Sequence, residues 1–202
     1  MAGLLDTDHV SFIFATMVSD RVILEEPRFV LTLKRLSHQL IEDHSDFAES
    51  CLVGIQPRGV CLANRLHHIL TKELKVKSLP YGKLDITFHR DDFRTRHKPL
   101  AAHENDMPFL VEDKRVILVD DVLYTGRSIQ AALSALTHYG RPREVTLVAL
   151  IDRRFNRHLP IQANYVGLRV DALDEAYVQV EWNPDGSPHQ VLLFAHKSEK
   201  ED

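Results

Sequence analysis

Apolar positions along this chain fall into two rhythms. Val116, Ile117, Leu118 and Val119 form an uninterrupted, mostly β-branched run, the signature of a strand buried on both faces of a parallel sheet. Residues 52–55 and 145–151 repeat the pattern, and residues 165–170 predict a further strand. Between these runs the spacing becomes helical. Phe29, Leu33, Leu36 and Leu40 recur every three or four residues after Pro27, which predicts an amphipathic helix ending near 42–44. Val60, Ala63, Leu66, Ile69 and Leu70 predict a second helix, and residues 129–139 a third that stops at Gly140 with Pro142 just beyond. Leu84, Ile86 and Phe88 alternate with Asp85, Thr87 and His89, as in a half-buried strand. Tyr177, Val178, Val180 and Trp182 lead through Asn-Pro-Asp-Gly at 183–186 into an apolar run at 191–194, a hairpin. Strands alternating with helices predict an α/β fold around a mostly parallel central sheet.

Three stretches carry neither rhythm. Residues 90–108 are polar and without period; compact domains keep such a loop mainly as a lid, whose closure excludes water from a reaction. Residues 195–202 read as a flexible charged tail. Residues 1–26 read as an N-terminal arm or edge strand. The apolar run at 10–18 follows Asp6 and Asp8, holds Ser11 and Thr16, and is too short to span a membrane. Left exposed, such an arm favours self-association, so a homo-oligomer (dimer or higher) is expected.

Composition narrows the classes. With 202 residues, 44% hydrophobic and 27% charged, the chain can bury one good-sized core, so a single domain over residues 1–202 is expected. A net charge of −4 gives no global basic footprint. Cys51 and Cys61, ten residues apart, read as reduced buried thiols of a cytoplasmic protein. The 12 histidines do not form a zinc site by spacing: His67 and His68 are adjacent, and His38 and His44 are six apart.

The chemistry concentrates after the central run. Asp120 and Asp121 follow it directly, then Val122, Leu123, Tyr124, Thr125, Gly126 and Arg127 make a tight turn. Gly126 takes the position that tolerates no Cβ, and Ser128 caps the helix opened by Ile129. Free amides at a helix N-terminus attract a phosphate. Two carboxylates beside them would repel a bare polyphosphate unless they faced hydroxyls or a divalent cation; a ribose phosphate with Mg²⁺ satisfies both demands. Neither a Walker loop nor Gly-x-Gly-x-x-Gly occurs. A second loop, Gln56-Pro57-Arg58-Gly59, also follows a buried strand. There Gly59 permits close backbone approach, and Arg58 offers a forked cation suited to pyrophosphate.

The thirteen residues 116–128 resemble the phosphoribosyl pyrophosphate (PRPP) motif of type I phosphoribosyltransferases. The resemblance extends through 52–63, 84–93, 140–142 and 159–167, in the order seen in the PyrR family, and covers roughly 28 to 194. That family pairs uracil phosphoribosyltransferase activity with RNA-binding control of pyrimidine genes. The resemblance implies a central, mostly parallel sheet flanked by helices, with a small hood and a flexible lid loop. It implies that Asp120 and Asp121 hold the ribose hydroxyls, and the Mg²⁺ directly or through water. Tyr124 to Ser128 would hold the 5′-phosphate, Pro57 and Arg58 the pyrophosphate, and Arg153 with the backbone near Val170 the uracil, with Gly59, Arg90, Val122 and Leu123 also contacting substrate. Arg58, Asp120 and Asp121 would be the catalytic groups. Purine-type transferases that resemble this loop carry an acidic residue where Tyr124 stands, which disfavours a purine. Lys34, Arg35 and His38 on one face of the first helix match an Arg-x-x-His pattern of the family's RNA surface, implying an mRNA leader as a second partner. Two rivals share these residues: an RNA-binding attenuation regulator with little catalysis, and a phosphoribosyltransferase for another nucleobase. The chain departs from the family pattern at three places. Pro57 replaces the usual Thr, residues 152–158 read Asp-Arg-Arg-Phe-Asn-Arg-His in place of a shorter Asp-Arg-Gly-His run, and residues 168–173 are also changed.

Overall fold

The computed structural model describes residues 21–91, 102–171, 176–183 and 189–194. Residues 1–20 of the N-terminal arm, 92–101 of the lid segment, 184–188 of the hairpin turn and the tail from 195 lie outside the described residues. Five parallel strands form the main sheet, in the order β3-β2-β4-β5-β6: β2 (Ser50–Ile55), β3 (Tyr81–Leu84), β4 (Arg115–Leu123), β5 (Glu144–Arg153) and β6 (Tyr165–Val170). Three helices connect or flank them: α1 (Glu26–His44), α2 (Gly59–His68, extended by a π turn to Glu73) and α3 (Arg127–Leu136, extended by a 3₁₀ turn to Tyr139). A smaller antiparallel sheet, β1-β8-β7, joins β1 (Arg21–Leu24), β8 (Gln190–Phe194) and β7 (Tyr177–Glu181).

The unbroken apolar run of β4 has a direct structural reason. Ile117 and Val119 pack into one core with Leu33, Leu36, Leu62, Leu66 and Leu150, whereas Val116 and Leu118 face a second core with Val53, Ile129, Ala132, Ala135 and Leu147. A strand covered on both faces has no solvent side on which a polar residue would be favoured. The small sheet adds Val178, Val180 and Val191 to the first core, and Trp182 and His189 pack against Phe29 of α1.

Four details differ from the sequence reading. The strand at 84–88 ends at Leu84, because the Asp85 carboxylate accepts hydrogen bonds from Thr87 N–H (3.1 Å) and Thr87 O–H (2.7 Å). This local turn outcompetes the ladder at a sheet edge, and Thr87–His89 become a 3₁₀ turn with Phe88 69% exposed. Asp120 and Asp121 lie inside β4 rather than after it, since pairing with β5 runs on to Leu123↔Asp152. Ser128 is not the cap of α3: the left-handed Gly126 (φ 91) occupies the N-cap, Arg127 is the first helical residue, and no side chain caps the helix. Cys51 is buried as expected, but Cys61 is only half-buried. Part of the lid segment is anchored. The backbones of Lys83 and Asp106 exchange hydrogen bonds of 2.7 and 3.0 Å, and Asp85 N–H donates to Asn105 Oδ1 at 2.7 Å.

Candidate active site

The carboxyl ends of β2, β4 and β5 converge on one polar region, where open parallel sheets bind ligands. Asp120 and Asp121 are 9% and 5% exposed. Gly59 sits against them so closely that a Cβ would lie 2.5 Å from the Val119 carbonyl and 3.0 Å from the Asp120 Cα. A side chain at 59 would therefore push α2 off β4. Arg58, just before it, donates from Nε to Asp121 Oδ2 at 3.0 Å, from Nη1 to the Tyr177 hydroxyl at 3.3 Å, and from Nη2 to the Val180 carbonyl at 3.2 Å. It thereby ties the β2–α2 loop, which holds a cis Gln56–Pro57 bond, to both the central strand and the small sheet.

Burial pushes the Asp120 carboxyl well above the usual carboxylate range, and the Asp121 charge adds to that push. Burial also raises Asp121, with Arg58 pulling the other way. Arg90, half-buried at the foot of the lid segment, opposes the rise on Asp120. Burial alone would weaken the charge on Arg58, but Asp121 and Tyr177 outweigh it and keep it protonated. Arg58 and Arg90 offset part of the cost of burying the two carboxylates, and a buried acidic pair favours positive charge beside it.

The turn from Val122 to Gly126 carries the chain from β4 into α3. Arg127 leaves it toward solvent and pairs with Asp91. The guanidinium of Arg153, 4% exposed, lies 4.0 Å from the centre of the Tyr124 ring. Arg153 is paired with Val170 in the β5–β6 register, and the Val170 carbonyl accepts Arg154 N–H at 3.3 Å. Thus Pro57, Arg58, Gly59, Arg90, residues 120–128, Arg153 and Val170 all belong to this end of the sheet. Lys34, Arg35 and His38 do not; they lie exposed on α1. Lys34 pairs with Glu73 at 3.5 Å, and Arg35 donates to the Val166 and Gly167 carbonyls at 3.1 and 2.6 Å along the open edge of β6. A nucleic acid docking there would have to draw Arg35 off that edge.

Sequence reasoning missed Tyr177, Asp152 and Arg157. Tyr177 reaches Arg58 across 119 positions, so no local spacing marks it. Arg157, which bonds the Tyr124 carbonyl and Asp152, stood inside a run that had been noted only as a departure.

A parallel sheet with an acidic pair, a glycine-opened helix and a cationic loop at its carboxyl edge defines a phosphoribosyltransferase, and the phosphoribosyl transferase domain family matches residues 21–185. Within that class, this chain belongs to the PyrR family. It is 42% identical to bifunctional protein PyrR of Syntrophobacter fumaroxidans, covering 89% of this chain and 96% of that protein. It is 44% identical to the Enterococcus faecalis protein of the same name, over 80% and 89% of the two chains. Among solved structures, hypoxanthine phosphoribosyltransferase of Trypanosoma cruzi shares the fold with a TM-score of 0.64 at 14% identity, over 88% of this chain and 97% of that one. Hypoxanthine phosphoribosyltransferase of Staphylococcus aureus does so with a TM-score of 0.60 at 22% identity, over 82% and 84%. At these identities the likeness concerns the fold alone.

Proposed function

We propose that this protein transfers the phosphoribosyl group of PRPP to uracil, forming UMP and pyrophosphate with the help of Mg²⁺. The observation that carries this reading is the buried Asp120–Asp121 pair, with Arg58 against one carboxylate and the Gly126-opened helix beside it. Breaking the bond between C1 of the sugar and pyrophosphate builds positive charge on the ribose ring and negative charge on the leaving group. Carboxylates at the first and a guanidinium at the second lower that barrier without reorganising at the moment of reaction. Arg58 releases Asp121 to meet pyrophosphate, and Asp121 is then free to accept from the ribose hydroxyls.

The site fits Mg²⁺ as a partner held jointly with substrate. Asp120 and Asp121 supply hard oxygen ligands and excess negative charge, while no cluster of three or more ligating side chains occurs among the described residues; Mg²⁺ commonly takes one or two carboxylates and fills its shell with water and phosphate. When bound, it would neutralise charge on the leaving pyrophosphate. Tyr124, under Arg153, offers no carboxylate to a purine ring nitrogen, which supports a pyrimidine even though the two fold neighbours named above act on hypoxanthine.

The deciding experiment supplies PRPP with uracil, orotate, hypoxanthine, guanine or xanthine and measures nucleotide formed. UMP as the dominant product is expected. Dominant IMP, GMP or XMP would overturn the base assignment, and no product from any base would overturn the transferase reading.

A further inference from the structure

Two carbonyls of the phosphate loop are held from behind. Arg157 donates from Nη1 to the Tyr124 carbonyl and from Nη2 to Asp152 Oδ1. The next carbonyl, that of Thr125, accepts both His158 N–H at 3.1 Å and Leu159 N–H at 3.2 Å. The side chains of Leu159 and Ile161 then close over Gly126, where an added Cβ would lie 3.3 to 3.5 Å from them. Arg157 is well placed for this: its side chain is 19% exposed and that of Asp152 8%, so their ion pair is largely shielded from water.

The consequence follows from peptide geometry. Across a trans peptide, the carbonyl and the N–H of the following residue point in opposite directions, and the bonds after Tyr124 and Thr125 are trans. Turning the Tyr124 carbonyl toward Arg157 directs Thr125 N–H the other way. Holding the Thr125 carbonyl against His158 and Leu159 does the same for Gly126 N–H. The two amides thereby face away from the β5–β6 connection, at the N-terminus of α3, where the helix dipole adds positive potential. Without the brace, either peptide could flip and present a carbonyl to the phosphate.

We infer that Arg157 is a positioning residue, which orients the Thr125 N–H through the Tyr124 carbonyl, locks this loop to Asp152 at the end of β5, and steadies the segment whose His158 and Leu159 amides fix the Gly126 N–H. It acts through the loop rather than on substrate. This rests on the phosphoribosyltransferase reading and adds to it a device that holds the loop from the β5–β6 connection.

The test is the affinity of the purified protein for ribose 5-phosphate by calorimetry, alongside KM values for PRPP and uracil. Arg157→Met should weaken ribose 5-phosphate by about tenfold or more and raise the KM for PRPP in step, leaving the KM for uracil within about twofold. Arg157→Lys should recover part of the loss, since one ammonium can meet the carbonyl but cannot fork to both partners. Should Arg157→Met fail to fold, Asp152→Asn, which loosens Arg157 from one side, carries the same expectation. Unchanged ribose 5-phosphate affinity in the folded variants, equal rises in both KM values, or no ribose 5-phosphate binding by the unaltered protein would each overturn the brace. An unaltered protein that binds ribose 5-phosphate through Arg157-dependent contacts but makes no UMP would sink the uracil reading and leave the brace standing.

Discussion

At the amino end of β4 and β5, Arg115 pairs with Glu144 at 3.2 Å and donates to the Asp43 carbonyl at 3.0 Å, while the Tyr165 hydroxyl meets the Asp43 carboxylate at 2.7 Å. Arg143 reaches both Asp113 and Glu49 nearby. At the carboxyl end of the same strands, Asp120, Asp121 and Asp152 are all buried, with Arg58 on Asp121, Arg157 on Asp152 and Arg90 acting on Asp120. One end thus matches charges in contacts open to water, and the other withdraws carboxylates from water. The first arrangement costs little and contributes little. The second is unfavourable to folding, and persists because the surrounding sheet over-determines it and a substrate cation can complete it.

The sharpest way to break this contrast is to remove the buried charge. Asp120→Asn with Asp121→Asn should lower UMP formation by about 10³-fold or more, the scale of losing preorganised electrostatic groups; turnover close to normal in a folded double variant would refute the assignment. A smaller effect of opposite sign is expected on stability. Burial raises Asp120 above its unfolded value, so the protonated form is the one that favours folding. That contribution is complete below the ordinary carboxylate range and is lost as pH rises through the raised value. Melting curves of the unliganded protein should therefore fall with pH over that window. Asp120→Asn should flatten the fall and melt higher at neutral pH, by about 2–4 °C if the relief is about 1 kcal/mol. A variant that melts lower and keeps the pH dependence would show that the carboxylate is not strained. At the amino end, Arg143→Gln should leave kcat/KM within about twofold of the unaltered protein. A large loss there would mean that the two ends are coupled through the sheet.

Much of this architecture was legible in the chain. The runs at 52–55, 116–119 and 145–151 gave their strands because burial on both faces demands apolar residues without interruption, and α1 was marked by its repeat from Phe29 to Leu40. The glycine positions in the two loops were legible for a similar reason: Gly59 and Gly126 stand where backbone approach or a left-handed turn excludes a side chain. Where reading failed, a local competitor won. Asp85 captured Thr87 and ended β3 early, and the left-handed turn at Gly126 started α3 before Ser128 could cap it.

Local pattern alone therefore determined the central strands, the helices and the two loops at the carboxyl edge that are proposed to carry phosphate chemistry, since periodicity, glycine and paired carboxylates are properties of neighbouring residues. Tertiary structure alone decided which distant groups those loops meet. Tyr177 arrives at Arg58 from a second sheet, Arg35 closes the edge of β6, and Arg157 reaches the Tyr124 carbonyl from the β5–β6 connection. Such contacts depend on how twisted strands and their connections pack in space, which no spacing along the chain encodes.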